Sequence, residues 1–169
     1  MSEHESRSLE SMIVHVLYRA VQEADAVFVQ HVGEAGLTPR QFAVLVTVAQ
    51  QENANQTHLV VRTGMDRSTV SDVVGRLVRH GLLQRRRTKE DARAYAIRLT
   101  DKGQETLRAV EPRARRADVF IQSLLPPKQR REVLAGLQML VSAFELTAAR
   151  NAAKTAPAGG RGRRTLRNS

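Results

Sequence analysis

Two neighbouring stretches carry the side chains best suited to chemistry, and that chemistry is recognition of a polyanion rather than bond breaking. In the first, Arg67, Ser68, Thr69, Ser71, Asp72, Gly75, Arg76 and Arg79 fall on one side of a helical period, opposite Val70, Val73, Val74, Leu77 and Val78. Serine and threonine can bond base edges or phosphates without bulk, and arginine can pair with guanine or phosphate. Asp72 is awkward on such a face, because it repels phosphate. It must either accept from a cytosine amino group or neutralise a neighbouring arginine. Taken alone, this face is equally what an ordinary solvated helix presents.

The second stretch crowds Arg85, Arg86, Arg87, Lys89 and Arg93 into nine residues. Like charges on a surface hairpin repel one another, so folding gives no reason to gather them. A hairpin that lies along phosphates with its tip in the minor groove does give one. Asp91 stands two residues before Arg93, where its carboxylate can brace the guanidinium from the side and present it partly preorganised. The plainer alternative for Asp91 is a turn-forming residue.

Other function classes find little support. The chain of 169 residues has no cysteine, which excludes disulfides, thiolate metal sites and thiol redox sensing. His4, His15, His31, His58 and His80 form no close pair of metal-binding type, and neither a Gly-rich phosphate loop nor a Gly-x-Ser-x-Gly elbow occurs. No enzyme activity, no cofactor and no metal are expected. The net charge is +10 with 27 basic against 17 acidic residues, a field that attracts nucleic acid or an anionic membrane. There is no long uninterrupted apolar run and the first residues are polar, so a cytoplasmic protein without a membrane partner is expected. Aromatic residues make up only 4%, so the core must be aliphatic.

The flanking elements must position the two stretches. Residues 8–36 show helical spacing through Leu9, Met12, Ile13, Val16, Leu17, Ala20, Val21, Ala24, Val27, Phe28 and Val32, with Ser8 as N-cap and Gly36 as stop. Thr38-Pro39 opens a second helix with Phe42, Leu45, Val46 and Ala49 inward. A short helix follows at 56–62, ending at Gly64, and Asp66 caps the helix 67–80, stopped by Gly81. Residues 82–87 and 94–99 read as a hairpin, with Tyr95, Ile97 and Leu99 alternating against Ala94, Ala96 and Arg98. Thr100 opens a helix to about residue 125. Pro126-Pro127 breaks it, and a last helix spans 128–150 with Val133, Leu134, Leu137, Leu140, Val141 and Phe144 on one side. From Asn151 onward, Lys154, Arg161, Arg163, Arg164 and Arg167 meet no acidic residue, which reads as a disordered basic tail.

Three short helices followed by a hairpin describe a mainly α winged helix-turn-helix with a small β-wing. The long terminal helices carry aliphatic stripes that such a lobe cannot cover, so they predict a dimer. The segments Leu37-Thr38-Pro39, 66–71, Arg76-Leu77, 81–85, Asp91-Ala92-Arg93 and 99–103, in this order and spacing, resemble the MarR family of bacterial transcriptional regulators over residues 9–150. The resemblance implies a homodimer whose first and last helices interlock, and a palindromic double-stranded DNA operator, usually repressed. It implies that helix 67–80 reads the major groove, while Arg93, braced by Asp91, enters the minor groove. It divides the chain into a dimerisation helix at 1–36, a DNA-binding lobe at 37–100, C-terminal dimerisation helices at 101–150 and the tail at 151–169.

Members of that family often bind small anionic aromatic or lipophilic molecules between dimer helices and DNA-binding lobe. His15, Tyr18, Arg19, His31, Arg40 and Phe42 are the residues here that could line such a site, an arginine and a tyrosine beside apolar walls suiting a carboxylate or phenolate. Each is also an ordinary surface or interface residue. The main rival to a sequence-specific regulator is an architectural, non-specific DNA-binding protein. A protein-interaction scaffold is a third reading.

Overall fold

The computed structural model describes residues 8–33, 36–51, 53–87 and 95–155. Local signals in the sequence set most helix ends. A 3-10 turn, Leu9–Ser11, precedes α1, Ile13–Val32. Thr38 opens α2, Pro39–Gln50, through a capping box: its hydroxyl accepts from the Gln41 N–H, and the Gln41 side chain accepts from the Thr38 N–H. Asn55 caps α3, Gln56–Thr63, which ends at Gly64 in the left-handed conformation. Asp66 caps α4, Arg67–Arg79. An antiparallel hairpin of β1, Leu83–Arg87, and β2, Tyr95–Leu99, follows, paired Leu83 to Leu99 and Arg85 to Ile97. Thr100 then caps α5, Asp101–Ser123.

The core is aliphatic, as the low aromatic content requires. Leu45, Leu59, Leu77, Leu83, Val44, Val70, Val74 and Val110 are all essentially inaccessible to water. α4 turns Val70, Val73, Val74 and Leu77 inward, so its hydrophilic face is outward by construction. The hairpin is tied to the lobe by Ala54, whose carbonyl accepts from the Ile97 N–H at 2.7 Å. Asn53, with φ of 60°, turns the chain there, and its side-chain oxygen accepts from the Arg98 guanidinium. An asparagine tolerates this left-handed backbone better than most residues.

Several expectations are corrected. The first helix is not continuous from Ser8 to Gly36. Met12 adopts an extended backbone, Ser8 provides no side-chain cap, and the helix ends at Gly33 with φ of 61°. Leu82 precedes the first strand rather than starting it. Strict alternation fails in β2, where Ala96 and Ile97 are both buried and Tyr95 is exposed. α5 holds Pro112 within its length, which removes one helical N–H. It belongs to one compact unit with α1–α4 and the hairpin, the unit ending at Leu124. The following unit contains α6, Arg130–Thr155, which runs beyond the expected end at Arg150. By length and composition, Arg130–Asn151 is apolar enough to cross a membrane, with mean hydropathy 1.3. Its expected stripe is exposed except for the half-buried Leu140, and Met139 and Leu146 add apolar surface off that stripe.

Gly103 explains how α5 meets the lobe. A Cβ there would lie 2.0 Å from the Leu82 carbonyl oxygen and 3.2 Å from Leu99. Gly75, by contrast, would place a Cβ only against Arg79 at 3.6 Å, an ordinary contact. Gly103→Ala is therefore expected to destabilise the protein by about 1–3 kcal/mol through overpacking. Gly75→Ala is expected to stabilise it by up to about 1 kcal/mol through helix propensity. Urea denaturation of both variants checks the opposite signs.

Candidate nucleic-acid interface

The interface begins at the N-terminus of α4. Three donors converge on the Asp66 carboxylate: the Ser68 hydroxyl, the Thr69 hydroxyl at 2.6 Å and the Thr69 N–H at 2.8 Å. The Ser68 hydroxyl, then the Thr69 hydroxyl, do most to hold the Asp66 carboxyl well below the usual carboxylate range. Ser68 and Thr69 are thus engaged in starting the helix, and only their remaining lone pairs face outward. Arg67 is exposed beside them, its carbonyl accepting from Gln56 Nε2 at 3.3 Å. Gln56 was not singled out from the sequence, because nothing local marks a side chain that reaches eleven residues along the chain.

Further along α4, Ser71 is exposed, and its hydroxyl makes no hydrogen bond among the described residues. Asp72 pairs with Arg76 at 2.9 Å one turn on, so of its two expected roles the structure has the neutralising one. Both side chains are more than half exposed, and such a pair orients the guanidinium more than it stabilises the fold. Arg79 is exposed at the end of the helix.

The hairpin stands beside this face. Ser71 and Val74 of α4 share one hollow of about 290 Å³ with Arg85, Tyr95 and Ile97 of the hairpin and with Gln56. Arg85 and Arg86 are both exposed on β1. Arg87 closes the strand opposite Tyr95. Lys89, Asp91 and Arg93 lie outside the described residues, and so does the tail beyond Thr155.

The six residues considered for a ligand are not brought together. Phe42 lines an apolar cavity of about 460 Å³ among α1, α2 and α5, its ring 5.5 Å from that of Phe28. Arg40 lines a different, polar hollow of about 610 Å³ with Thr38, Gln41, Ser68, Asp72 and Arg76. His15 and Arg19 share a shallow third hollow with Glu10 and Glu23. His31 bonds the Val27 carbonyl at 2.9 Å and packs on Phe120, and Tyr18 is exposed. The walls that α5 contributes to the apolar cavity, Ala114, Ala117 and Ile121, left no sequence signal that they face α1 and α2.

Similarity to known proteins follows the same geometry. A family model described as the MarR family matches residues 35–94, a span that takes in α2, α3, α4 and β1 and stops before β2. The HTH-type transcriptional repressor NicR of Pseudomonas putida is 28% identical over 131 residues, covering 78% of this chain and 83% of that protein. The solved structure of the transcriptional repressor CouR bound to a 23-mer DNA duplex is 30% identical, with a TM-score of 0.71, covering 83% of this chain and 99% of that one. That of Bordetella bronchiseptica BpsR, described for the regulation of its DNA binding by 6-hydroxynicotinic acid, is 27% identical with a TM-score of 0.74. It covers 79% of this chain and 96% of that one.

The Asp66 cap carries a pH signature. Its pKa is lower in the folded chain than the ordinary 3.8, so the stability it adds is complete above that value and is lost as pH falls toward the folded one. The stability difference between the native chain and Asp66→Ala should stay constant from about pH 7 to 5 and narrow below about pH 4. Urea denaturation across that range checks it.

Proposed function

The chain belongs to the MarR family of transcriptional regulators, and from that premise we propose that it is a cytoplasmic repressor that binds a pseudo-palindromic operator as a homodimer and leaves it when a small aromatic molecule binds. The observation that carries this reading is the shared surface of α4 and the hairpin: Ser71 and Arg85 line one hollow, with Arg76 and Arg86 exposed on the same two elements. A helix with a small polar face can enter the major groove while a basic strand pair follows the phosphates. Asp91 and Arg93 extend the proposal to the minor groove.

The dimer is supported by what one copy leaves uncovered. Ile13, Val14, Val16 and Val21 on α1 and Val119, Phe120 and Leu124 at the end of α5 are exposed, as are Leu137, Val141 and Phe144 on α6. Each such side chain gains roughly 1.5–3 kcal/mol on burial, and a domain's whole margin is roughly 5–15 kcal/mol. A helix apolar on more than one side, as α6 is, needs cover all round. A second copy supplies it, and twofold symmetry then sets the two α4 helices about 34–36 Å apart, one turn of DNA. Phe144→Asp is accordingly expected to shift the protein from dimer to monomer in analytical ultracentrifugation. The effector is proposed to occupy the apolar cavity among α1, α2 and α5, between the lobe and the helices that would form the dimer.

Footprinting tests the operator. One protected pseudo-palindrome is expected, whereas uniform protection along the duplex would favour the architectural reading that the +10 charge suggests. Neutralising roughly 6–10 phosphates should lower affinity by about 10³–10⁵ between about 50 and 200 mM salt. Arg86→Ala should weaken binding to all sequences alike and reduce the salt slope by about 1. An unchanged slope would remove the hairpin from the interface.

A further inference from the structure

The apolar cavity has an electrostatic sign opposite to that of the chain. Its walls are Phe28, Phe42, Val46 and Ile121 with small residues between, and its volume of about 460 Å³ suits a molecule of one or two rings. Four charged side chains line it: Asp25, Glu111, Asp118 and Arg115. The single guanidinium, on the exposed Arg115, pairs with Glu111 at 2.6 Å. Asp118 accepts a hydrogen bond from Gln122 at 2.8 Å, which does not alter its charge. Asp25 is half-buried and has neither a hydrogen bond nor an ion pair among the described residues. The lining thus carries three carboxylates against one guanidinium, in a protein whose net charge is +10; Asp118 is exposed, and Asp25 also borders a hollow that holds Arg40 and Arg76.

Resting on the preceding reading that this cavity takes the effector, we propose that the effector is a lipophilic organic cation, an ammonium group on an aromatic body, rather than an aromatic acid. An aromatic carboxylate would meet Asp25 and Asp118 with like charge, and the one arginine that could receive it already holds Glu111. An ammonium group gains most from the half-buried Asp25, where charges interact more strongly than in bulk solvent, and less from the exposed Asp118. The faces of Phe28 and Phe42, inclined at 50° with centroids 5.5 Å apart, accept the aromatic body and add cation–π attraction. Asp25 also lines the polar hollow bounded by Ser68, Asp72 and Arg76 of α4. A cation held by Asp25 thus sits beside the group that joins the cavity to the DNA-facing helix.

The test uses three molecules of one shape: 2-naphthylmethylammonium, 2-naphthylmethanol and 2-naphthoate. Each is titrated into the full-length protein without DNA by calorimetry, then into the protein–operator complex by fluorescence anisotropy. Tenfold or tighter binding of the ammonium than of the carboxylate is expected, with the alcohol between them. In the Asp25→Asn, Asp118→Asn double variant that preference should fall at least tenfold while affinity for the alcohol stays within about twofold. The alcohol also reports that the variant is folded. Tighter binding of naphthoate, a preference unmoved by the double substitution, or no binding of any of the three would overturn the inference. Anisotropy of the complex alone separates these failures from that of the broader reading, since operator binding does not depend on which molecule enters the cavity.

Discussion

The junction between the end of α4 and the start of α5 is the contact on which the rest of the structure depends. The Leu82 N–H bonds the Leu77 carbonyl at 2.9 Å, and the Leu82 carbonyl accepts from the Thr100 N–H at 3.1 Å. The Thr100 hydroxyl donates to the Gly81 carbonyl at 2.6 Å, and Lys102 Nζ donates to the His80 carbonyl at 3.1 Å. The last carbonyls of α4, which a helix must satisfy somewhere, are met by its own C-terminal turn, Arg76 by the His80 N–H, Leu77 by Leu82 and Val78 by Gly81, and the start of α5 then meets the carbonyls of His80, Gly81 and Leu82 just beyond the helix. Glycine at 103 lets the two backbones approach to a distance that any side chain would forbid. The hairpin leaves from and returns to this same point, so α4, β1, β2 and α5 move as one body. A helix that is to present Ser71 and Arg76 in register with Arg85 needs that rigidity.

Charge is distributed to match. Arginines stand on the outer face of α4 and along β1, whereas three carboxylates of α1 and α5 line the apolar cavity. Asp72 tempers the basic face by pairing with Arg76, which orients the guanidinium without removing the positive field. In the proposed complex, attraction to phosphate supplies affinity, while the small polar side chains of α4 are left to discriminate among bases.

Much of this was readable in the sequence because it is local. Thr38-Pro39 with Gln41, Asp66 with Thr69, and the valine stripe of α4 each act within four residues, and the expected helices stand where those signals put them. Misreadings arose where distant segments meet. Ala54 bridges to Ile97 across more than forty residues, and Ala96, which alternation alone assigns to solvent, is buried. Gly103 is recognisable as a helix-opening glycine, but the reason it must be glycine lies in the Leu82 carbonyl. Met12 interrupts the first helix without any breaker in the sequence. The candidate ligand residues were drawn from α1 and α2 alone and scatter over several hollows, because the cavity is completed by α5, whose facing direction the imperfect period around Pro112 did not reveal.

The central claim is that two such rigid bodies, held by one dimer, meet a duplex together. It is tested most directly with an operator selected from random DNA and then lengthened at its centre. Inserting five base pairs turns one half-site to the opposite side of the helix, since a turn takes about 10–10.5 base pairs. Two coupled reading heads require affinity to fall to that of an isolated half-site on this insertion. Affinity that does not change with the spacing would contradict the claim.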